Sequence, residues 1–246
     1  MMETIIEVTQ LKTVFGDKIV HDGLNLKVKK GEIFGIVGPS GSGKTTLLRE
    51  MLMLQDIYSG TIKVLGYDLS TIKYAQAQEL RQKWGVLFQA GALFSSLNIK
   101  ENIALPLIEY SDLSRSMIDE IVDFKMSIVG LKPGDAELFP SQISGGMKKK
   151  ASLARSLAMD PRLLFLDEPT SGLDPISARD FDALILKLRD ILDLTVVMIS
   201  HDLQSIYDTI DTVAVIDDKR IVYNGNIDNI SSVDNKFIKT FFKRYL

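Results

Sequence analysis

The sequence predicts an α/β fold with a parallel-sheet core, an N-terminal antiparallel β subdomain and an inserted α-helical subdomain. Three observations carry this prediction. Short apolar runs alternate with helical stretches on either side of a glycine-rich loop, the pattern of strand–helix units around a parallel sheet. Leu24, Leu26 and Val28 alternate with Asn25, Lys27 and Lys29, as in a strand with one wet face. From about residue 90 to 158 the strand signals thin out and helical stretches take over.

In chain order, the first thirty residues read as β structure, with a turn at Lys30-Gly31. Glu32–Val37 is a short apolar run ending in the glycine loop, as a buried parallel strand does. Leu47, Leu48, Met51, Leu52 and Leu54 then fall at helical spacing. Farther on, Pro106, Pro133-Gly134 and Pro140 are expected to break helical stretches such as Arg115–Val129. Leu163–Asp167 and Thr195–Ser200 are buried-strand runs separated by a helix-like stretch, Pro175–Leu192. Val213–Ile216 and Arg220–Tyr223 flank Asp217-Asp218-Lys219 and read as a hairpin. The tail from Asp234 to Leu246 puts Phe237, Phe241 and Tyr245 on one line and Ile238, Phe242 and Leu246 on the next. That is a closing helix packed on its own domain or on a second subunit, with membrane-surface contact as the alternative. The expected division within one domain is a core of about 1–88 and 160–230, a helical subdomain of about 89–159 and a C-terminal helix of about 231–246.

Composition bounds the function. The chain has 246 residues, 46% hydrophobic and 25% charged, an ordinary globular balance long enough to bury a core without staples. It has no cysteine, which excludes disulfides, thiolate metal sites and a cysteine nucleophile. A net charge of −3 leaves no basic excess, so nucleic acid is not an expected partner. No run approaches the ~18 apolar residues of a bilayer span, and the N-terminus lacks the basic and apolar regions of a signal peptide. The expected address is the cytoplasm, with any membrane reached through a partner.

Gly38-Pro39-Ser40-Gly41-Ser42-Gly43-Lys44-Thr45, with Thr46 next, is a P-loop pattern. Its glycines let successive backbone N–H groups converge into an anion nest at a helix N-terminus. Lys44 adds a point charge for the β- and γ-phosphates of ATP, and the Thr45 hydroxyl is a hard oxygen ligand for Mg²⁺. A chance match in a chain this size is roughly one in a hundred. Leu163–Asp167 followed by Glu168 is an apolar strand ending in two carboxylates. Alone it would read as a strand ending in solvated acids. Beside a P-loop, Asp167 belongs near the metal and Glu168 near the attacking water. His201, at the end of another strand run, can donate to a γ-phosphate; His21 has no such setting and reads as surface or packing.

Further motifs give a family. Ile143-Ser144-Gly145-Gly146-Met147 resembles the Leu-Ser-Gly-Gly-Gln signature of ATP-binding cassette proteins, and it too lies at a predicted helix N-terminus. Ser171-Gly172-Leu173-Asp174 resembles that family's D-loop, Gln89 its Q-loop, Ser200-His201-Asp202 its H-loop, and Phe15 the aromatic that stacks on adenine. The resemblance implies a P-loop NTPase cassette. It also implies Glu168, His201, Gln89 and Lys44 as the catalytic set, and Thr45, Gln89 and Asp167 around Mg²⁺. ATP would be held by Phe15, by Gly38, Pro39, Ser40, Gly41, Ser42, Gly43, Lys44, Thr45 and Thr46, and by Ser144, Gly145, Gly146 and Asp174. Met147 departs from the signature, but backbone donors and Ser144 keep the nest. The run Lys148-Lys149-Lys150 reads most simply as a solvated helix face, with a raised local potential for phosphate as the alternative.

The stretch Phe88–Ile99, continuing to Leu107, resembles the Mla family, ATPase subunits of envelope phospholipid transporters built around MCE proteins. That resemblance implies a head-to-tail dimer with a second copy, an integral-membrane permease, an MCE-type lipid-binding protein, and a peripheral place on the cytoplasmic side of the inner membrane. A cassette for amino-acid import or lipoprotein export is the alternative. DNA repair, chromosome and ribosome-bound cassettes are disfavoured by the single P-loop, the absence of a heptad stretch and the net charge. A purely structural nucleotide-binding regulator is disfavoured by the presence of Glu168.

Overall fold

The predicted N-terminal alternation becomes an antiparallel ribbon of β1 (Thr4–Phe15) and β2 (Lys18–Lys29), with Ile6 opposite Val28 and Val8 opposite Leu26. Leu24, Leu26 and Val28 are buried, and Asn25, Lys27 and Lys29 face solvent. The structure, a computed structural model, describes residues 3–243. Next comes β3 (Ile33–Val37), buried at every residue, as a parallel strand covered on both faces must be. Then α1 (Lys44–Met51) buries Leu47, Leu48 and Met51. Past it, β4 (Ser59–Val64) and β5 (Tyr67–Asp68) extend the antiparallel sheet to the order β2-β1-β4-β5, and α2 (Tyr74–Arg81) follows. These elements and the chain from Thr195 onward make one compact unit; Gln82–Leu194 makes the other.

The second unit opens with β6 (Trp84–Leu87), which pairs in parallel with β7 (Leu163–Asp167), Val86 opposite Phe165. Between them lie α3 (Ile99–Tyr110), α4 (Arg115–Ile128) and α5 (Gly145–Ser156), and after β7 comes α6 (Pro175–Leu192). Pro133 and Pro140 each open a 3₁₀ turn, as expected of helix-breaking positions. Pro106 does not break its helix: α3 runs through it. A proline inside a helix costs about 3 kcal/mol. Here that cost is offset by the burial of Ile99, Ile103, Ala104 and Leu107, and by a reciprocal cap between Asn98 and Glu101.

Back in the first unit, β8 (Thr195–Ile199), α7 (Leu203–Thr209), β9 (Thr212–Asp217), β10 (Arg220–Asn226) and α8 (Lys236–Phe241) complete the chain. Here β3 is parallel to β8 on one side and β9 on the other. The hairpin expected at Asp217–Lys219 is present: Arg220 pairs with Asp217, and Asp218 and Lys219 both have positive φ, as a two-residue turn matching strand twist requires. α8 is shorter than the predicted tail helix. Ile238 and the following Phe242 are fully buried, and Phe242 meets Tyr207 edge-on at 5.8 Å, so this segment packs on its own unit. Tyr245 and Leu246 lie outside the described residues.

Candidate nucleotide site

In the first unit, β3 delivers the chain into the loop 38–43, and α1 begins at Lys44. The glycines are there for space and backbone. A Cβ at Gly38 would strike the Ile216 carbonyl oxygen and Ser42 Oγ, and Gly41 and Gly43 have φ of 77° and 97°. No side chain caps α1 and its first turn carries no acid, so its N–H donors are not spent on a carboxylate. Lys44 Nζ donates to Gly38 O at 2.8 Å and to Pro39 O at 2.9 Å, which holds its charge over the loop. Ser42 Oγ is buried with no hydrogen-bond partner, and a cleft of about 240 Å³ opens beside Pro39, Ser40, Gly41 and Ser42, with Lys18 and Lys219 among its lining residues. Thr45 is exposed on the first turn of α1, next to the half-buried Thr46. The same unit holds Phe15, the last residue of β1, 44% exposed, and His201, exposed just beyond the end of β8.

The second unit gathers the other residues. Asp167 ends β7 and is buried; Glu168 follows with a φ of 51°, an uncommon backbone for a side chain of this size, and its carbonyl accepts from Ser171 N. Gln89, exposed just past β6, donates from Nε2 to Ser171 Oγ at 3.2 Å. Lys149 fastens these segments to α5. It is 6% exposed, and its Nζ donates to Gln89 O at 2.6 Å and Glu168 O at 3.2 Å. Burial pushes its ammonium below the usual lysine range, and the nearby Asp167 and Glu168 charges oppose that shift. Arg155, two turns farther along α5, donates to Gly91 O and Ala92 O and lies 6.0 Å from the Phe94 ring, so the loop after Gln89 is pinned at several points.

Two helix starts complete this unit. Ser144 caps α5 by accepting from Met147 N; its hydroxyl proton stays available, and Gly146 has no atom within 4 Å of where a Cβ would sit. Asp174 caps α6 by accepting from Ile176 N and Ser177 N, and these bonds, those from Ser177 first, hold its carboxyl below the usual range. The structure therefore joins Gln89, Ser171 and Glu168 through Lys149, and assembles the P-loop separately within the first unit. It corrects the reading of the lysine run: Lys148 is exposed and Lys150 half-buried, while Lys149 is buried and bridging. Of the two readings of His21, surface or packing, the structure has the second: the ring is fully buried, with Nε2 3.2 Å from Gly43 O.

The family model described as ABC transporter matches residues 21–171. The chain belongs to the ABC transporter family. It is 38% identical over 243 residues to the intermembrane phospholipid transport system ATP-binding protein MlaF of Haemophilus influenzae, covering 99% of this chain and 92% of that protein. It is 35% identical over 226 residues to the methionine import ATP-binding protein MetN of Clostridium tetani, covering 92% of this chain and 70% of that one. Its fold is similar, with a TM-score of 0.81 and 25% identity, to the dimeric ATP-binding cassette MJ0796 bound to ADP and Pi, covering 91% of this chain and 99% of that one. The protein is thus an ABC-type ATPase with the P-loop NTPase cassette fold.

For this ATPase, the donor chemistry fits a metal carried by the nucleotide. Among the described residues no group of three or more His, Asp or Glu could hold a metal by itself. Mg²⁺ usually keeps waters and takes phosphate oxygens, needing only one or two protein oxygens. The exposed Thr45 hydroxyl and the Asp167 carboxylate are donors of that kind. Among the described residues no helix is long and apolar enough to cross a membrane.

Proposed function

We propose that this ABC ATPase powers phospholipid transport between the inner and outer membranes through an integral-membrane permease and an MCE-type lipid-binding protein. The observation that carries the reading is the full-length match to a phospholipid-transport ATP-binding protein, which extends over 92% of that relative's own length. The methionine-import relative is matched over 70% of its length, so the alternative of an amino-acid importer has the weaker support.

In this reading ATP is the fuel and Mg²⁺ travels with it, neutralising phosphate charge when bound. Gly38–Thr46 cradle the phosphates, Phe15 stacks on adenine, and Thr45, Gln89 and Asp167 are the Mg²⁺ residues. Glu168 orients and deprotonates the attacking water, His201 donates to the γ-phosphate, and Lys44 holds the β- and γ-phosphates. Ser144, Gly145 and Gly146, with Asp174, serve the nucleotide of a second copy, so two chains work head to tail; the dimeric relative bound to ADP and Pi supports that arrangement. The permease docks on the loop after Gln89. Phe94 is 52% exposed beside the half-buried Leu93 and Leu97, an apolar face held up by Arg155. The subunit then works peripherally on the cytoplasmic side of the inner membrane.

The test is to purify the tagged chain from native membranes in mild detergent. An MCE-domain protein and a permease should co-purify, and the complex should hydrolyse ATP faster when phospholipid is supplied. Co-purification with an amino-acid-binding protein instead would overturn the lipid reading.

A further inference from the structure

The buried His21 lies under the phosphate-binding loop in a setting no site role explains. Thr13 on β1, His21 on β2 and Glu50 in the last turn of α1 are each no more than 1% exposed. Thr13 Oγ1 donates to Glu50 Oε1 at 2.7 Å and stands 2.7 Å from His21 Nδ1. Glu50 Oε2 has no hydrogen-bond partner of its own and lies 3.6 Å from His21 Nδ1. On the other side of the ring, Nε2 lies 3.2 Å from Gly43 O. A carbonyl oxygen only accepts, so Nε2–H is the donor to it; the single Thr13 hydroxyl proton goes to Glu50, so the contact at Nδ1 is made by Nδ1–H donating to Thr13 Oγ1. The same oxygen accepts Leu47 N at 2.9 Å and so closes the first turn of α1.

A buried carboxylate and imidazole cost desolvation that an apolar trio would avoid. Here they brace the nucleotide helix at two points along its length, Glu50 in its last turn and Gly43 at its start. The fit at Gly43 is tight: with a φ of 97°, a Cβ there would strike His21 Nε2 and the Val20 side chain.

We infer that His21, oriented by Thr13 and Glu50, is a positioning residue for ATP binding: its Nε2–H fixes the Gly43 carbonyl and so aims the N–H donors of the loop and of α1 at the phosphates. Because the bond is made on the carbonyl side, no N–H donor of the nest is spent on it. The inference rests on the reading that residues 38–45 hold the phosphates, and Lys44→Ala serves as the control for that reading.

The deciding pair is His21→Gln and His21→Asn. The glutamine amide reaches the place of Nε2 and can donate to Gly43 O, whereas asparagine, one methylene shorter, reaches only the place of Nδ1. Both are read by ATP dissociation constant with a fluorescent nucleotide, by KM and kcat, and by thermal melting. The loss of one hydrogen bond corresponds to about 3- to 10-fold in affinity. His21→Asn should therefore raise Kd and KM by about that factor with kcat at saturation little moved, and His21→Gln should recover most of the loss. Thr13→Val/His21→Leu/Glu50→Leu replaces the trio by apolar residues, so folding does not depend on the charges. It should melt no lower than the wild type and still bind ATP as weakly as His21→Asn. If Asn and Gln bind ATP equally well, or the folded triple variant binds like the wild type, His21 is only a packing residue. If Lys44→Ala leaves affinity unchanged, the P-loop reading itself fails; if Lys44→Ala weakens binding and the His21 variants do not, the inference alone fails.

Discussion

Lys149→Met isolates the buried lysine behind Gln89 and Glu168, the residues proposed for hydrolysis. Methionine keeps the length and the apolar stem but removes the ammonium that donates to Gln89 O at 2.6 Å and Glu168 O at 3.2 Å. A hydrogen bond from a charged donor is worth about 1.5–3 kcal/mol, and the two carbonyls would lose that donor. The desolvation that depresses the lysine's pKa is relieved in the variant and offsets part of the loss. The expected net destabilisation is about 2 kcal/mol, which for a chain of this size lowers Tm by about 4–8 °C. The effect on turnover should be larger. Glu168 has a left-handed backbone that its surroundings must hold, and a shift of about 1 Å in a catalytic group can cost ~10²-fold. We expect kcat to fall by about 10- to 100-fold, with ATP affinity, set mainly by the P-loop, changed by less than about twofold. The assay is steady-state ATPase activity of the purified chain, with the proposed permease where it co-purifies, beside a thermal melt and a nucleotide titration. Lys149→Arg, which keeps the charge and the donors, should recover part of the rate. If Lys149→Met turns over within about twofold of the wild type and melts within about 1 °C of it, the bridge does not hold Glu168, and the reasoning fails.

Three further outcomes are expected. Glu168→Gln should lower ATP turnover by about 10²–10⁴ while keeping ATP binding, because it removes the base and preserves shape; an ATPase rate like the wild type's would remove Glu168 from that role. Phe94→Ser should detach the subunit from the permease, a loss of about 2 kcal/mol or more for an aromatic anchor, with the melt of the isolated chain unchanged because the ring is already half exposed; retained co-purification would take Phe94 out of the docking face. Phe165→Ala should destabilise the second unit by about 3–5 kcal/mol, seen as a collapsed melt, since its fully buried ring meets Trp84 edge-on at 5.9 Å where β7 pairs with β6.

What the sequence makes legible is what local chemistry decides. The P-loop glycines are required by a backbone that only glycine adopts easily, and β3 and β7 read as buried strands because each is an apolar run buried along its whole length. The expectation of a break at Pro106 fails because the cost of one lost helix bond is local, whereas the packing that offsets it is not. Which of the two readings of His21 holds, surface or packing, turns on a different feature. Alternation counted back from Leu24 would put Asp22 inside. The pairing instead steps from Leu24 opposite Leu11 to Asp22 opposite Lys12, a bulge at Gly23, whose φ is 77°. The extra residue reverses the parity and turns His21 inward. Lys149 was misjudged by residue type. Its spacing from Ser152 and Leu153, both buried, puts it on the inner face of α5, and helical periodicity weighed above charge would have found it.

The braces found here share a logic that follows from anion binding. A loop proposed to receive phosphate is best held by its carbonyls, because a brace there spends none of its N–H groups; side-chain donors and other backbone N–H groups can supply it. Lys44 donates to Gly38 O and Pro39 O, His21 to Gly43 O, Lys149 to Gln89 O and Glu168 O, and Arg155 to Gly91 O and Ala92 O. Each bond fixes a loop from its carbonyl side and uses none of that loop's own N–H groups. Met147, where the family's signature has glutamine, has a separate account. What Met147 gives the start of α5 is its backbone N–H, accepted by Ser144 Oγ at 3.2 Å, and any residue that continues the helix supplies that. The nest proposed at Ser144 would depend on the serine hydroxyl and on the two glycines, which leave the approach open, and not on the side chain at 147.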